Sequence, residues 1–334
     1  MSITPADLGF YKPKTINDTA TNGGRMSKNA FQDAALENIF PVIYLDNLAS
    51  AQTHYRKMFL KVANDADIPA TNARVAMLRP ANQDDEVTFF QATQTDTQND
   101  ITGTEQQYGC GQLQADIIAG ATTLTVTTEA GATRPIFDDG MLIMISNKTS
   151  VSSATGTREY VQLAATGAVS WTGNDATLTL APGQSIQNAY LAADTYVSSA
   201  IDLGGIAGSS SAYSVTSSNG TFDDTGNPIT VDAIGGIHEN WTLTFTSATN
   251  YDLIGDTVGA VGSGTVSSDF SPNNPDFAKP YLTIPAAGFG GTFASGDQIT
   301  FTTDPFAKAI WLKRYTPANA GAGQSDFILF MDVS

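Results

Sequence analysis

The chain has 334 residues, of which only 15% are charged, yet its formal net charge is -17 with a sequence pI near 4.2. That length holds two or three domains with their own cores, and the shortage of Lys and Arg disfavours general nucleic-acid binding, which needs clustered basic side chains. The one cysteine, Cys110, has no partner for an internal bridge, so a disulfide-stapled secreted scaffold is excluded.

The first residues, Met1 to Asp7, carry neither a basic flank nor an apolar run of signal-peptide length. No later segment has the ~18 consecutive apolar residues of a membrane-spanning helix. The expectation is a soluble protein folded in a cytoplasm, with no membrane partner. Residues 1–39 show weak periodicity around the turn signal Asn22-Gly23-Gly24-Arg25 and read as an extended N-terminal arm. Its aromatic anchors Phe10, Tyr11, Phe31 and Phe40 invite association if left in water. Two placements bury them: on a neighbouring subunit, or on the arm's own domain.

Residues 40–104 carry strand patterns at 54–62, 73–78 and 86–91, separated by polar turns. Three strands leave one sheet face uncovered, and the strong strand patterns at 309–314 and 326–331 supply candidates for the missing sheet. The expected unit is an Ig-like discontinuous β-sandwich, residues 40–104 closed by residues 309–334, with the intervening chain inserted. Residues 105–199 change texture to short strands between Gly-rich turns, at 122–128, 141–146, 158–164, 176–180 and 190–199, and read as a small inserted barrel or sandwich. Asp138-Asp139-Gly140 and Gly296-Asp297 each read as a turn that launches a strand.

Residues 200–308 form a third β-rich tract, either a separate domain or an extension of the outer sandwich. Asn240-Trp241-Thr242-Leu243-Thr244-Phe245 and Gln298-Ile299-Thr300-Phe301-Thr302 alternate apolar and hydroxyl side chains at period two. Ser271-Pro272-Asn273-Asn274-Pro275 and Gly288-Phe289-Gly290-Gly291 read as shaped loops. Helix is confined to a turn or two at 33–39 and 47–52. The fold class is therefore mainly β, with tandem antiparallel β-sandwich or barrel domains.

Little here points to reaction chemistry. His54 and His238 sit in different tracts without ligand spacing, and Cys110, between two glycines, reads as a small packing residue. The carboxylates Asp84-Asp85-Glu86, Asp138-Asp139 and Asp223-Asp224 fit tight turns and lack the order of a calcium loop. The glycine runs lack the Lys and Ser/Thr of a phosphate cradle. No catalytic residue, cofactor or metal ligand is assigned, and the expectation is a protein that is not an enzyme. The basic groups Arg56-Lys57 with Lys61, and Lys313-Arg314, fall on strands of one domain. They read either as partners for an acidic face of the next subunit or as ordinary solvated positions.

A resemblance adds to this reading. Phe10-Tyr11-Lys12, Asn22-Gly23-Gly24-Arg25-Met26-Ser27 and Tyr55-Arg56-Lys57-Met58-Phe59-Leu60-Lys61 followed by Asn64 are similar to the first part of structural proteins from the neck, collar or tail of contractile-tailed bacteriophage virions. The later part resembles them at Trp241-Thr242-Leu243-Thr244-Phe245, Asp269-Phe270-Ser271-Pro272-Asn273-Asn274-Pro275, Pro280-Tyr281, Ile284-Pro285 and Ile310-Trp311-Leu312-Lys313-Arg314. Tyr315-Thr316 departs from the β-branched pair that usually precedes the proline, here Pro317. The resemblance implies a virion component in a homo-oligomeric ring, with other neck or tail proteins as partners. The candidate interface residues are Phe10, Tyr11 and Arg25 in the arm, with Arg56, Lys57, Lys313 and Arg314 on the sandwich. A baseplate or tail-tube protein is a neighbouring alternative. A rival of another class is a carbohydrate-binding module of a tail fibre, presenting Trp171, Tyr251, Phe289 or Trp311 as an aromatic platform.

Overall fold

Alternating apolar and hydroxyl residues emerge as antiparallel strands throughout, so the chain is mainly β, as its pattern predicts. The computed structural model describes residues 2–32, 38–43, 49–321, 323 and 325–333. Among these, helix is limited to single 3-10 turns such as Pro5–Asp7 and Gln98–Asp100. Most of the short helix expected over 33–39, and the start of the one over 47–52, lie outside the described residues.

The chain opens with β1 (Leu8–Thr15) and β2 (Gly23–Ala30), followed by β3 (Gln52–Val62), β4 (Ala70–Arg79) and β5 (Glu86–Ala92). Shorter strands come next: β6 (Cys110–Leu113), β7 (Thr123–Thr127), β8 (Leu142–Ser146), β9 (Arg158–Gln162), β10 (Val169–Thr172) and β11 (Asp175–Thr179). They lead into the long β12 (Tyr196–Ile206). The third tract holds β13 (Ser209–Thr216), β14 (Gly220–Phe222), β15 (Thr230–Val231), β16 (Glu239–Phe245), β17 (Asn250–Gly255) and β18 (Gly259–Thr265). It continues with β19 (Asn273–Asn274), β20 (Lys279–Pro280), β21 (Leu282–Thr283), β22 (Phe289–Gly291) and β23 (Gln298–Asp304). β24 (Ala307–Thr316) and β25 (Ile328–Asp332) close the chain.

β24 inserts between β3 and β5, with Ile310 opposite Met58 and Leu312 opposite Phe89, giving a sheet ordered β2-β1-β3-β24-β5. β25, β4 and the far half of β12 form the facing sheet. Leu60, Phe89 and Ile310 from one sheet meet Val75, Ile201 and Met331 from the other in a single core. Each such side chain stabilises the sandwich by about 1.5–3 kcal/mol when fully buried. β1 pairs with β3 from Leu8 opposite Val62 to Tyr11 opposite Phe59, and β2 pairs with β1. Residues 8–30 are thus a hairpin built into the sheet. Of the two placements open to the arm, this is the one on its own domain.

The second unit is a barrel. β12 pairs with β6 and β8 over its first residues, β6 with β7, β7 with β11, and β8 with β9. The circuit closes through the Leu163–Leu180 bridge and the bond from Ala164 N–H to the Thr179 carbonyl at 3.0 Å. Val126, Ile143, Ile145, Leu178 and Val197 fill the interior. The turn into β8 needs Gly140, whose φ of +71 is a left-handed conformation that glycine adopts without strain. β12 then runs on, and from Ile201 to Ile206 it pairs with β4 of the sandwich. One continuous strand belongs to both units.

The third unit is a five-stranded sheet, β13-β23-β16-β17-β18, with three two-stranded pieces, β14-β22, β15-β21 and β19-β20. Period-two alternation sends Trp241, Leu243 and Phe245 into an aromatic core with Tyr251, Phe293 and Phe301. Phe245 and Phe293 stack with ring centroids 3.8 Å apart.

Candidate functional site

The cations singled out in the sequence lie mostly inside the molecule. β3 alternates, so Met58, Leu60 and Val62 point into the sandwich core while Lys57, Phe59 and Lys61 occupy the opposite face. That face is roofed by β2, by the loop around Asp96 and by the third unit, so both lysines are fully buried. Lys57 Nζ donates to the carbonyls of Gly24 at 2.8 Å and Asp96 at 3.0 Å and pairs with the Asp96 carboxylate at 2.5 Å. Trp311 Nε1 donates to the same carboxylate at 2.9 Å. Lys61 Nζ donates to the Ile234 carbonyl and lies 4.1 Å from the Phe277 ring centroid. Burial pulls its ammonium down to about 8, against a weaker upward pull from Asp232.

Arg56 and Arg314 grip the segment around Phe40. Arg56 Nε donates to the Ile39 carbonyl at 3.1 Å and its guanidinium pairs with Asp18 at 2.6 Å. Arg314 donates to the Pro41 carbonyl at 2.7 Å, and both guanidiniums lie against the Phe40 ring. Beside them, burial and the Arg314 charge hold His54 below the usual imidazole range. Asp85 is also buried, 4.0 Å from Arg314 Nε. This placement corrects the reading of Arg56, Lys57 and Arg314 as cations offered to a neighbouring subunit: their charges are desolvated and answered within the chain. Lys313 points the other way and is half-buried.

The arm residues are likewise committed internally. Phe10 packs on the sandwich core, and Tyr11 lies against Phe277 and Lys61. Arg25 reaches the third unit, where its guanidinium pairs with Glu239 at 2.7 Å and donates to the His238 carbonyl and Thr257 Oγ1, each at 3.0 Å. Burial pushes the Glu239 carboxyl up, but the hydrogen bond from Thr257 and the Arg25 guanidinium outweigh it and hold the group below the usual carboxylate range. Lys28–Asp276 at 2.8 Å, Lys279–Asp65 at 2.7 Å and a bond from Ala233 N–H to Asp67 at 2.7 Å complete the seam. The seam between the sandwich and the third unit thus combines these charged pairs with apolar contacts of Ala233 and Phe306 in the sandwich core.

Other candidate chemistry is dispersed. His238 Nδ1 is bonded to Asp304 at 2.6 Å, remote in sequence and unit from His54. Cys110 is buried and burial pushes its thiol up. Asp223 caps a turn through Gly226 N–H, and Asp139 accepts from Gly167 and Ala168 N–H groups, as turn chemistry implies. Among the described residues no group of three or more His, Cys, Asp or Glu side chains could hold a metal ion. Tyr251 and Trp311 are wholly buried, and Phe289 and Trp171 pack against cores, which corrects the reading of these rings as a glycan platform.

Sequence reasoning missed Asp96 and the buried Glu239, and took the buried Asp85 for a turn residue. The signal for Asp96 was Phe59, which shares a strand face with Lys57 and Lys61 and marks that face as covered.

No family model matches the chain, and no curated protein matches it. Among solved structures the chain is similar, at 12% identity over 82% of this chain and 83% of the other, to the infectious bursal disease virus VP2 subviral particle, with a TM-score of 0.12. A mutant VP2 of the same virus is similar at 11% identity over 87% and 80% of the two chains, with a TM-score of 0.11. Superposition this poor transfers neither topology nor role.

Proposed function

We propose that the chain is a non-enzymatic structural protomer of a bacteriophage virion, set in a homo-oligomeric ring at the neck or collar of a contractile-tailed particle. The observation that carries the reading is the pair of edges on the third unit's sheet. β13 (Ser-Ser-Ser-Ala-Tyr-Ser-Val-Thr) and β18 (Gly-Ala-Val-Gly-Ser-Gly-Thr) are exposed, and neither pairs with a further strand among the described residues. Each has one bulge, at Ala212-Tyr213 and at Val261, but neither carries a Lys, Arg, Asp, Glu or Pro, the residues that ordinarily keep an edge strand single. Edges without such guards suit a surface that other chains cover. The sequence resemblance supplies the virion and the ring, and many modest contacts repeated around a ring act at high effective concentration. The contacts run through these edges, since the N-terminal hairpin is tied into its own sheet.

The test is particle proteomics with solution mass. The chain should be found in purified virions in fixed stoichiometry. Light scattering on the isolated protein should give a multiple of the 35.1 kDa chain. Ser211→Lys with Val215→Lys should lower that multiple without lowering the melting temperature. A monomer absent from particles ends the reading.

A further inference from the structure

A cleft of about 430 Å³ opens where the barrel meets the sandwich, a size within the range of small-molecule sites and a position, between two units, where such sites concentrate. Its exposed lining is mostly polar, with a smaller apolar part from Tyr108, stacked on Phe89, and from Leu142, beside the nearly buried Met141 and Ala200. Its polar lining comes from Asp138, Asp139, Asp202, Gln91, Gln106 and Gln162, and among the described residues no Lys, Arg or His lines it.

The charge of this lining is one-sided, three carboxylates and no cation. Gln106 and Gln162 each donate one side-chain N–H to a backbone carbonyl, of Gln107 and Gly140, and each keeps an amide oxygen as an acceptor. Asp138 and Asp202 each use one oxygen on a turn N–H, of Asp139 and Gly204, and keep the second. The donors are the remaining N–H of Gln106 and of Gln162, the Gln91 amide and the Tyr108 hydroxyl. A neutral sugar could pair with these groups but would leave the carboxylate charges unanswered. A divalent ion would find too few converging carboxylates, since no group of three or more metal-binding side chains occurs among the described residues.

We propose that this cleft binds an organic cation: an ammonium or guanidinium group on an aliphatic stem. The charged end lies between Asp138 and Asp202 and the stem lies over Tyr108 and Met141. Tyr108 adds the attraction of its ring face for a cation. The source is either a free polyamine or the basic side chains of a peptide, and both present the same group. The proposal is independent of the ring reading, since the cleft lies apart from the β13 and β18 edges.

Calorimetry at low ionic strength, where surface charges are least screened, would titrate spermidine, a capped Lys-Lys dipeptide and maltotriose into the full chain. Spermidine or the dipeptide should bind saturably at one site, the tighter of the two naming the source, and maltotriose should not bind. Asp138→Asn with Asp202→Asn keeps an acceptor for each turn and should weaken binding by about tenfold or more, as expected for lost charge-assisted hydrogen bonds. Gln91→Glu adds a charge at the wall and should tighten it. Asp224→Asn with Asp326→Asn removes the same two charges elsewhere and should leave affinity unchanged. Equal loss in both double variants would reduce the effect to general attraction by an acidic protein and overturn the proposal. Absence of saturable binding by either cation, or binding of maltotriose alone, would also overturn it.

Discussion

Arg25 and Glu239 stand 2.7 Å apart although 214 residues separate them, one on the N-terminal hairpin and the other at the start of β16. Glu239 is fully buried and Arg25 is 19% exposed, so the pair sits where water screens it little. Arg25→Met should destabilise the protein by about 3 kcal/mol, because it leaves a buried carboxylate without its cation. Arg25→Met with Glu239→Gln should recover part of that loss. Urea denaturation of the three variants measures it, and an unchanged midpoint for the single variant would refute the pairing.

Lys61 makes stability depend on pH in an unusual direction. Below about 8 both the folded and the unfolded chain hold the proton, and the burial penalty on the ammonium is fully present. Between about 8 and the ordinary 10.5 the folded chain releases it while the unfolded chain keeps it, so the unfolded state binds more protons and stability rises with pH. Lys61→Met should stabilise the protein by about 1–2 kcal/mol at neutral pH, the loss of the bond to the Ile234 carbonyl offsetting part of the gain. It should also flatten the response between pH 8 and 10. Guanidinium melts at several pH values test both effects.

Deleting residues 1–30 should damage the fold itself. It removes two strands of the sandwich sheet, bares the edge of β3 and strips Glu239 of its cation. The expected result is a melting temperature lower by about 10 °C with faster amide exchange in β3. A truncated chain that melts normally but fails only in assembly would return the arm to a role between subunits.

Gly235 lies against the strand of Pro280. A Cβ there would stand 2.1 Å from the Pro280 carbonyl oxygen and 2.9 Å from that of Lys279, both backbone atoms. Gly235→Ala should cost about 2 kcal/mol and disturb the neighbouring bond from Asn274 Nδ2 to the Gly235 carbonyl. Thermal melting and amide exchange around Asn274 are the readouts.

The strands were legible because alternation is local: Trp241, Leu243 and Phe245 could be placed on one face from their spacing alone. The fate of the cations was legible only in part. Lys57 and Lys61 are charged and fall at alternate positions, which reads as a solvated face, while the chain that covers them lies far away in sequence, at Asp96, Ile234 and Phe277. Their neighbour Phe59 was the local hint. The Phe40 clasp was harder, since its grip comes from Arg56 and Arg314, separated by most of the chain. Tyr251 and Trp311 looked free as recognition rings because an aromatic residue on a strand carries no mark of which side it faces until the opposing sheet is known.

The passage of β12 from barrel to sandwich has a mechanical corollary. A tug on the barrel would travel along one backbone into the β4 ladder, loading its hydrogen bonds in parallel so that they yield together and not one after another. Single-molecule pulling from a barrel loop should therefore meet a high rupture force before the sandwich gives way.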